Sequence, residues 1–236
     1  MGILYDEKAK YYDLLYSFKD YEAEAQKIMS IANKHKTSKG NTLLDVASGT
    51  GNHIKHFTKK YECTGVDLNK GILNEAKKNV PNATFIKADM TKMDLGKKFD
   101  VITCLFSSIG YVQNEKELQK TMQIFSNHLR EGGVLIIEPW FTPNEFKEGT
   151  YLTTYDGDVE IARVIRSTKK GNKSVMDMHF LIGEGTNITR FNEPHEMTLF
   201  TNEQYLNALK KAGLSQTHDE EGITGRGLYI CVNSKK

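Results

Sequence analysis

The sequence predicts an α/β fold built on a doubly wound, mainly parallel sheet, with an antiparallel β insertion. Apolar runs of strand length alternate with segments of helical periodicity up to about residue 138, which is typical of parallel sheets. One strand is followed by a glycine-rich turn, a helix and a second strand that ends in an acid, the pattern of a nucleotide-binding βαβ unit. Between about residues 150 and 200 the hydrophobic period changes to two, which predicts antiparallel strands.

The first half of the predicted sheet follows a tyrosine-rich segment, residues 1–18. Residues 21–34 carry apolar side chains at helical spacing and predict the first long helix. The elements that follow are expected at 42–46 (strand), 52–60 (helix), 62–66 (strand) and 69–79 (helix). Asn69 is placed to cap the last of these helices, and Pro81 lies just beyond its end.

The rest of the chain completes the sheet and adds the insertion. Elements of the parallel sheet are expected at 83–87 (strand), 99–105 (strand), 115–129 (helix) and 134–138 (strand). The β-runs of the insertion are expected at 159–167, 175–182 and 195–200, and after them come a helix at 202–212, capped by Thr201, and a strand at 228–233. We therefore expect one domain over residues 1–236, with the insertion over the ligand edge, where parallel strands end.

Composition and charge exclude several classes of function. The 236 residues suffice to bury a full core in one α/β domain. The formal charge is only +2, from 32 Lys and Arg against 30 Asp and Glu, so neither a nucleic acid nor a membrane is expected as a partner. No signal peptide or apolar run of membrane length is visible in the sequence. We expect a cytoplasmic protein.

The cysteines and histidines give no pattern of a metal site. Cys63, Cys104 and Cys231 each lie inside an apolar run without a C-x-x-C spacing, which favours buried thiols in a reducing compartment. The seven histidines show no ligand spacing either. His53 follows the glycine turn, and we expect it, like His56, on the surface of the next helix.

The residues of the glycine turn distinguish between the classes of ligand that such a unit can bind. Its residues follow the pattern D-x-A-x-G-x-G, with Asp45, Ala47, Gly49 and Gly51 at the fixed positions. A dinucleotide fingerprint needs a third glycine where Ile54 stands, and a P-loop needs G-K-[ST] after the turn. Neither is present. The pattern resembles instead the glycine motif of class I S-adenosylmethionine (SAM) methyltransferases, in which the backbone approaches the methionyl part of the cofactor.

Two further acids follow strands of the predicted sheet. Asp67 lies twenty-two residues after Asp45, the spacing at which an acid accepts hydrogen bonds from ribose hydroxyls. A helix cap is the alternative, because Leu68 and the residue after it begin the next helix. Asp89 and Met90 follow the third strand. The methyltransferase resemblance implies that this acid binds the adenine amino group and that Met90 packs on the ring, whereas an exposed turn aspartate is the alternative.

Aromatic and polar side chains end the fourth and fifth strands. Leu105 and Phe106 form an apolar wall, and Tyr111 adds a hydroxyl a few residues later. Glu138 and Trp140 end the fifth strand, and an aromatic ring beside a carboxylate suits a sugar or an amine cation. An ordinary loop after the fourth strand and core packing of Trp140 are the alternatives.

A narrower resemblance extends from about Tyr5 to Val232. The order and spacing of its motifs are similar to those of the aminosugar N,N-dimethyltransferases of macrolide pathways, which dimethylate the 3-amino group of a dTDP-linked deoxysugar. The motifs are Y-D-L near the start, K-D-Y at 19–21, L-L-D-V-A-S-G-T-G, A-D-M, F-S-S-I-G-Y, E-P-W-F and T-G-R-G-L at 224–228. This chain departs from the family at Ser48, usually cysteine, at Asp67, usually glutamate, and in a shorter segment after Tyr12.

The resemblance implies a Rossmann-like, seven-stranded sheet and SAM as the cofactor. Its implied cofactor-binding residues are Tyr12, Tyr21, Asp45, Ala47, Gly49, Gly51, Asp67, Leu68, Asp89, Met90 and Leu105. Tyr5 and Tyr111 are the implied catalytic residues, which orient the acceptor. The implied acceptor-binding residues are Phe106, Glu138, Trp140 and Arg226. Arg226 is expected to bind an anionic group such as a nucleotide diphosphate, with a surface charge as the alternative.

We therefore expect a SAM-dependent methyltransferase for a small molecule, first of all the amino nitrogen of a nucleotide-linked deoxyaminosugar. The alternatives are another small acceptor, with a hydroxyl or carboxylate nucleophile, and a SAM-binding protein without transfer activity. The insertion would cover the acceptor site, and a homodimer remains open. No demanding general base is required, because methyl transfer from a sulfonium to a neutral amine needs mainly alignment.

Overall fold

The computed structural model describes residues 2–234, and these residues form two sheets. In chain order the strands are β1 (Thr42–Val46), β2 (Glu62–Asp67), β3 (Thr84–Lys87), β4 (Phe99–Cys104), β5 (Leu129–Ile137), β6 (Gly149–Tyr155), β7 (Val159–Lys170), β8 (Lys173–Glu184), β9 (Asn187–Thr198), β10 (Leu214–Asp219) and β11 (Leu228–Asn233). The helices are α1 (Tyr12–Leu15), α2 (Tyr21–His35), α3 (Asn52–Phe57), α4 (Lys70–Asn79), α5 (Glu115–His128) and α6 (Asn202–Lys211). None of these helices is long and apolar enough to span a bilayer.

The seven-stranded sheet has the order β10-β11-β5-β4-β1-β2-β3. The five neighbouring strands β5, β4, β1, β2 and β3 run parallel. Strand β11 is antiparallel to β5, and β10 is antiparallel to β11. One face is covered by α5 and α6 through residues such as Phe125 and Tyr205, and the other by α2, α3 and α4 through residues such as Ile28, Phe57 and Leu73. The predicted doubly wound α/β fold is therefore confirmed.

Helix boundaries follow the local capping signals of the sequence. Thr201 caps α6 in a full capping box with Gln204, as predicted from the sequence. Asp20 and Asn114 accept capping hydrogen bonds at the first turns of α2 and α5. Asn69 occupies the cap position of α4, but its side chain makes no capping bond. Its backbone N–H instead donates to Asp67 at 3.0 Å.

The four-stranded sheet, in the order β6-β7-β8-β9, is antiparallel throughout. Its inner face packs on the N-terminal segment through an apolar cluster that includes Tyr12, Leu15, Met178 and Phe180. Its β9 edge lies beside a 3-10 turn, Ser108–Tyr111, at the end of β4, where the Thr198 hydroxyl donates to the Val112 carbonyl at 2.5 Å. The sheet is thus held at the carboxyl edge of the parallel strands.

The structure contains strands that the hydrophobic pattern did not reveal. Strand β6 has no buried residue, and β10 has only Leu214 buried, so neither shows the alternation that marks a strand. Strand β9 begins at Asn187 and not at the predicted residue 195. The hydrophobic pattern did not reveal its first half, because that half is polar and mostly exposed. The strand also contains Pro194, which is tolerated because β9 is an edge strand. Strand β5 begins at Leu129, earlier than the predicted residue 134.

Candidate active site

The turn after β1 contains three residues with left-handed backbone. The φ angles are 58° at Ala47, 56° at Gly49 and 81° at Gly51, values that glycine adopts freely and alanine rarely. A Cβ at position 51 would lie 3.2 Å from the ring of Phe85, whereas one at position 49 would meet only Ile72, at 4.0 Å. Gly51 therefore permits packing below the turn, and Gly49 leaves an open backbone face for a ligand.

Asp67 connects this turn to the end of β2. Its Oδ2 accepts a hydrogen bond from Gly49 N at 3.1 Å, and its Oδ1 accepts one from Asn69 N at 3.0 Å. Burial raises the pKa of Asp67, and the backbone N–H donors oppose that shift. A carboxylate has more acceptor positions than these two bonds use. Both predicted roles are therefore compatible: Asp67 supports the start of α4 and keeps lone pairs free for hydroxyl groups.

Asp45 lies beneath the turn and is 2% exposed. Its Oδ1 accepts a hydrogen bond from the Thr103 hydroxyl at 2.7 Å. Burial raises the pKa of Asp45 to about 6, although His53 and the Thr103 bond favour the ionised form. An ionised carboxylate buried with so little compensation destabilises the folded chain.

A pocket opens beside the glycine turn. It lies between the ends of β1 and β4 and the tyrosines of the N-terminal segment. The predicted site residues that line it are Tyr12, Tyr21, Asp45, Ala47, Gly49, Leu105 and Phe106. The predicted cofactor residues that lie outside its lining are Gly51, Asp67, Leu68, Asp89 and Met90.

Asp89 and Met90 follow β3 at the same sheet edge. Asp89 Oδ1 accepts hydrogen bonds from the backbone and hydroxyl of Thr91, at 2.9 and 2.7 Å. Burial by itself would raise the pKa of Asp89, but these hydrogen bonds and Lys92 hold that pKa below its usual range. Met90 packs against the core, and Leu68 is 53% exposed. Asp89 thus has the turn conformation given above as the alternative, and its contact with adenine remains a prediction.

His53 is not on the helix surface, and that prediction was wrong. It is 8% exposed because α3 packs against α2, where Glu24 accepts a bond from His53 Nε2 at 2.8 Å. Glu24 also pairs with Lys19 at 2.6 Å, and the Lys19 ammonium lies 4.3 Å from the Phe106 ring centroid. No local pattern signals this buried network, because its members lie on separate elements. No group of three or more metal-ligating side chains occurs among residues 2–234.

Glu138, at the end of β5, is 2% exposed and accepts hydrogen bonds from three residues in two separate parts of the chain. Its Oε2 accepts from Phe106 N at 2.7 Å. Its Oε1 accepts from the Thr224 hydroxyl and, at 3.4 Å, from the Arg226 guanidinium. The Arg226 side chain is 15% exposed and its guanidinium carbon lies 5.8 Å from the Trp140 ring centroid. Arg226 is therefore not the free surface charge that was the alternative.

The loop after β4 is strained. Phe106 and Ser107 have φ angles of 52° and 60°, a conformation that bulky residues keep only when surrounding contacts enforce it. Glu138 binds the Phe106 amide, and the Ser107 hydroxyl donates to the Pro139 carbonyl at 2.7 Å. These bonds direct Phe106 into the pocket described above and place Tyr111 beyond it.

The two predicted catalytic tyrosines lie together, although they are 106 positions apart. Their hydroxyl oxygens are 3.3 Å apart. The Tyr111 hydroxyl also bonds to His195 Nδ1, and His195 Nε2 lies 2.8 Å from Glu193 Oε1. Sequence reasoning missed His195 and Glu193. A signal existed, since residues two apart in a strand share one face, but it needed the knowledge that β9 passes Tyr111.

Arg163 on β7 is a second residue that the sequence did not reveal. It is 5% exposed, and its guanidinium donates to the hydroxyls of Tyr16 and Thr153, both at 3.0 Å. Its Nε has no hydrogen-bond partner among the described residues. A basic residue in an alternating strand pattern is usually exposed, so only the fold identifies it as buried beside the N-terminal tyrosines.

Comparison with known proteins gives consistent results. A family model described as a methyltransferase domain matches residues 43–133. The dTDP-3-amino-3,4,6-trideoxy-alpha-D-glucopyranose N,N-dimethyltransferase of Streptomyces venezuelae is 38% identical over 233 residues, which are 96% of this chain and 98% of that protein. The dTDP-3-amino-3,6-dideoxy-alpha-D-glucopyranose N,N-dimethyltransferase of Streptomyces fradiae is 36% identical and covers 98% of this chain and 92% of its own.

Solved structures agree with this. The crystal structure of Streptomyces venezuelae DesVI has a TM-score of 0.89 and 37% identity, over 95% of this chain and 98% of its own. The structure of SAM-bound CalS10, an amino pentose methyltransferase from Micromonospora echinaspora, has a TM-score of 0.81 and 32% identity, over 91% of this chain and 92% of its own. The fold class and the resemblance predicted from the sequence are confirmed.

The first prediction concerns Asp67. The variant Asp67→Ala removes an acceptor for the ribose hydroxyls, so we expect SAM affinity to fall by about 1–3 kcal/mol, the effect of losing a buried hydrogen-bond partner. Titration calorimetry with SAM measures it. Asp94→Ala, at a side chain that is 91% exposed, serves as control and leaves affinity unchanged. Equal affinity of the Asp67 variant and the wild type would remove Asp67 from the cofactor site.

The second prediction concerns pH and Asp45. Because its pKa is raised to about 6 from 3.8, the folded chain holds this proton more tightly than the unfolded chain, and stability falls as pH rises through that range. Asp45→Asn cannot ionise. We expect it to be more stable than wild type at pH 7.5, by about 2–3 kcal/mol, and equal to it near pH 4.

Urea denaturation at both pH values measures this difference. Asp158→Asn changes an exposed carboxylate in the turn between β6 and β7 and gives the control, for which no pH-dependent difference is expected. If Asp45→Asn were more stable than wild type by the same amount at pH 4 and pH 7.5, the gain could not come from the ionisation of Asp45.

Proposed function

This chain belongs to the family of SAM-dependent methyltransferases that contains the dTDP-aminosugar N,N-dimethyltransferases, and we propose that it methylates the amino nitrogen of a nucleotide-linked deoxyaminosugar. The observation that carries the proposal is the extent of the similarity. It reaches far beyond residues 43–133 and covers 96% of this chain in the first relative, so it includes the acceptor-side strands β6–β9. Because these relatives are N,N-dimethyltransferases, we propose two successive transfers.

The residues beside the glycine turn fit SAM. Gly49 offers an open backbone face, Asp67 has free lone pairs for the ribose hydroxyls, and Asp45 supplies a buried negative charge. Tyr12 and Tyr21 line the pocket from the N-terminal side, where we place the methionyl end. SAM supplies a methyl group on a positively charged sulfur that becomes a neutral thioether when the methyl leaves.

Tyr5 and Tyr111 act on the acceptor as neutral phenols in this proposal. Burial raises the pKa of both hydroxyls, so they remain protonated at physiological pH. A neutral phenol can accept a hydrogen bond from an amine and donate one elsewhere. The two hydroxyls, 3.3 Å apart, would hold the amine in line with the methyl group, and alignment is the main requirement of this reaction.

The four-stranded sheet closes the acceptor side. Trp140 connects it to β5, since its indole Nε1 donates to the Ser174 hydroxyl on β8 at 2.8 Å. We propose that this sheet covers the acceptor as part of the single domain, and excludes water from the amine and the methyl group. Phe106 and Trp140 would pack against the sugar ring.

Arg226 is the proposed anchor for the diphosphate. Glu138 engages one of its N–H groups at 3.4 Å, which leaves further donors of the guanidinium fork for phosphate oxygens. Glu138 thereby positions Arg226 and the Phe106 loop at once. Binding energy from a diphosphate remote from the nitrogen would align the amine for transfer.

We further propose a cytoplasmic homodimer. The three cysteines are free and buried, which suits a reducing compartment. The outer face of the four-stranded sheet exposes Leu152 and Val164, which are paired across β6 and β7. Exposed apolar side chains on neighbouring strands are typical of an interface.

Turnover on defined acceptors tests the proposed function. Purified protein is incubated with SAM and with dTDP-linked 3-amino and 4-amino deoxysugars, and mass spectrometry counts the methyl groups added. We expect two methyl groups on the nitrogen of an amino acceptor and no methyl group on the matching hydroxy sugar. Methylation of the hydroxy sugar alone, or SAM binding without any transfer, would support the alternative functions.

Arg226→Ala tests the diphosphate anchor. Hydrogen bonds to charged groups contribute about 1.5–3 kcal/mol, so we expect the acceptor KM to rise by about 10- to 100-fold, with SAM affinity unchanged. Steady-state kinetics measures both. Arg166→Ala, which changes an exposed arginine on β7, is the control, and Arg226→Lys is expected to recover part of the loss. An unchanged KM for Arg226→Ala would refute the anchor.

A further inference from the structure

A chain of hydrogen bonds extends from the two tyrosines into the four-stranded sheet. Tyr5 and Tyr111 meet at their hydroxyls, Tyr111 bonds to His195 Nδ1, and His195 Nε2 lies 2.8 Å from Glu193 Oε1. His195 and Glu193 have side chains that are each 5% exposed. Tyr111 is 36% exposed. The chain thus connects the solvent-accessible end of the acceptor site with a buried imidazole and a buried carboxylate.

The second oxygen of Glu193 fixes the direction of this chain. Oε2 accepts a hydrogen bond from Leu4 N at 2.6 Å, which leaves Oε1 for His195. An ionised carboxylate only accepts hydrogen bonds, so His195 Nε2 carries a proton. In a neutral imidazole Nδ1 is then the acceptor, and the Tyr111 hydroxyl donates to it. The Tyr111 oxygen then accepts the hydrogen bond of the Tyr5 hydroxyl, at 3.3 Å, and keeps one lone pair to face an N–H of the acceptor.

The fold builds this arrangement specifically. Glu193 and His195 share the inner face of β9. The N-terminal segment closes over them: a Cβ at Gly2 would lie 2.0 Å from Glu193 Oε1, and the ring centroids of Tyr5 and His195 are 5.4 Å apart. A buried acid and imidazole are less favourable for stability than apolar packing.

We propose that His195, held by Glu193, is the positioning residue that orients the Tyr111 hydroxyl and receives, through it, the proton that the amine must lose between two methyl transfers. This inference rests on the proposed function. The nitrogen lone pair forms the N–C bond while the C–S bond breaks and sulfur keeps the electron pair, so that nitrogen becomes an ammonium. One N–H proton then moves to the Tyr111 oxygen, and the hydroxyl proton of Tyr111 moves to His195 Nδ1.

The resulting imidazolium faces the Glu193 carboxylate, which compensates its charge. The amine is again neutral and has a lone pair for the second transfer. After product release the proton returns through Tyr111 to water that enters the vacated acceptor site. Without this path the monomethylated ammonium would have to leave the site to lose its proton.

The test compares His195→Gln with His179→Gln. A glutamine in place of His195 would still offer an oxygen to the Tyr111 hydroxyl but cannot take up a proton, whereas His179 is an exposed histidine with a carboxylate, Asp177, at the same spacing on β8. We expect His195→Gln to lower kcat by about 100-fold, the lower range of general acid–base catalysis, with nearly unchanged KM and SAM affinity. The monomethylated product should accumulate in this variant and not in His179→Gln.

Combining substitutions separates the proton path from a structural effect. Tyr111→Phe breaks the link to the amine, so adding His195→Gln to it should reduce kcat little further. Losses that multiply in the double variant, a wild-type product ratio in His195→Gln, or a rise in KM alone would each overturn the inference. A wild type that methylates no amine would refute the proposed function instead.

A measurement without acceptor tests the chemical basis of the chain. Histidine ¹⁵N–¹H correlation spectra of the whole protein should show His195 protonated on Nε2 alone, and Glu193→Gln should abolish this preference while keeping an oxygen for Leu4 N. A wild-type spectrum with the proton on Nδ1 would overturn the inference whatever the acceptor.

Discussion

Glu138 is the buried carboxylate on which the proposed acceptor side of the structure depends. A negative charge that is 2% exposed must be compensated by nearby donors. Those donors come from the loop after β4, through Phe106 N, and from the turn before β11, through Thr224 and Arg226. The requirement to satisfy one carboxylate thus brings three loops together. It also maintains the left-handed backbone of Phe106 and Ser107, which would otherwise relax.

The proposed cofactor side uses carboxylates differently. Parallel neighbours β1 and β2 end at the same edge, which places Asp45 and Asp67 on either side of the glycine turn. Asp67 is compensated by backbone N–H groups of Gly49 and Asn69, whereas Asp45 has mainly Thr103. The burial that raises the pKa of Asp45 therefore acts against stability. A negative charge retained at this cost suits a site that binds a cationic sulfonium.

The four-stranded sheet contributes more than the proposed cover of the acceptor. Its edge strand β9 brings Glu193 and His195 to the hydroxyl of Tyr111, and Glu193 at the same time binds Leu4 N. Tyr5 follows Leu4 directly, so one carboxylate fixes both the N-terminal segment and the imidazole. Both tyrosines that contact the acceptor in our proposal therefore depend on a strand distant from them in sequence.

The sequence by itself determined those features of the structure that depend on residues close together in the chain. The alternation of strands and helices, the glycine turn with Gly49 and Gly51, and the cap at Thr201 depend on neighbouring residues, and each was predicted. Tertiary structure decided what depends on distant partners. Strand β6 forms by pairing although no side chain in it is buried. His53 is buried because α2 packs on α3, and His195 reaches Tyr111 because β9 passes the end of β4. No local pattern reveals the pairing of β6 or the burial of His53, and the spacing of Glu193 and His195 indicates their shared face without identifying Tyr111 as their partner. Burial and partner are set by packing of the whole chain.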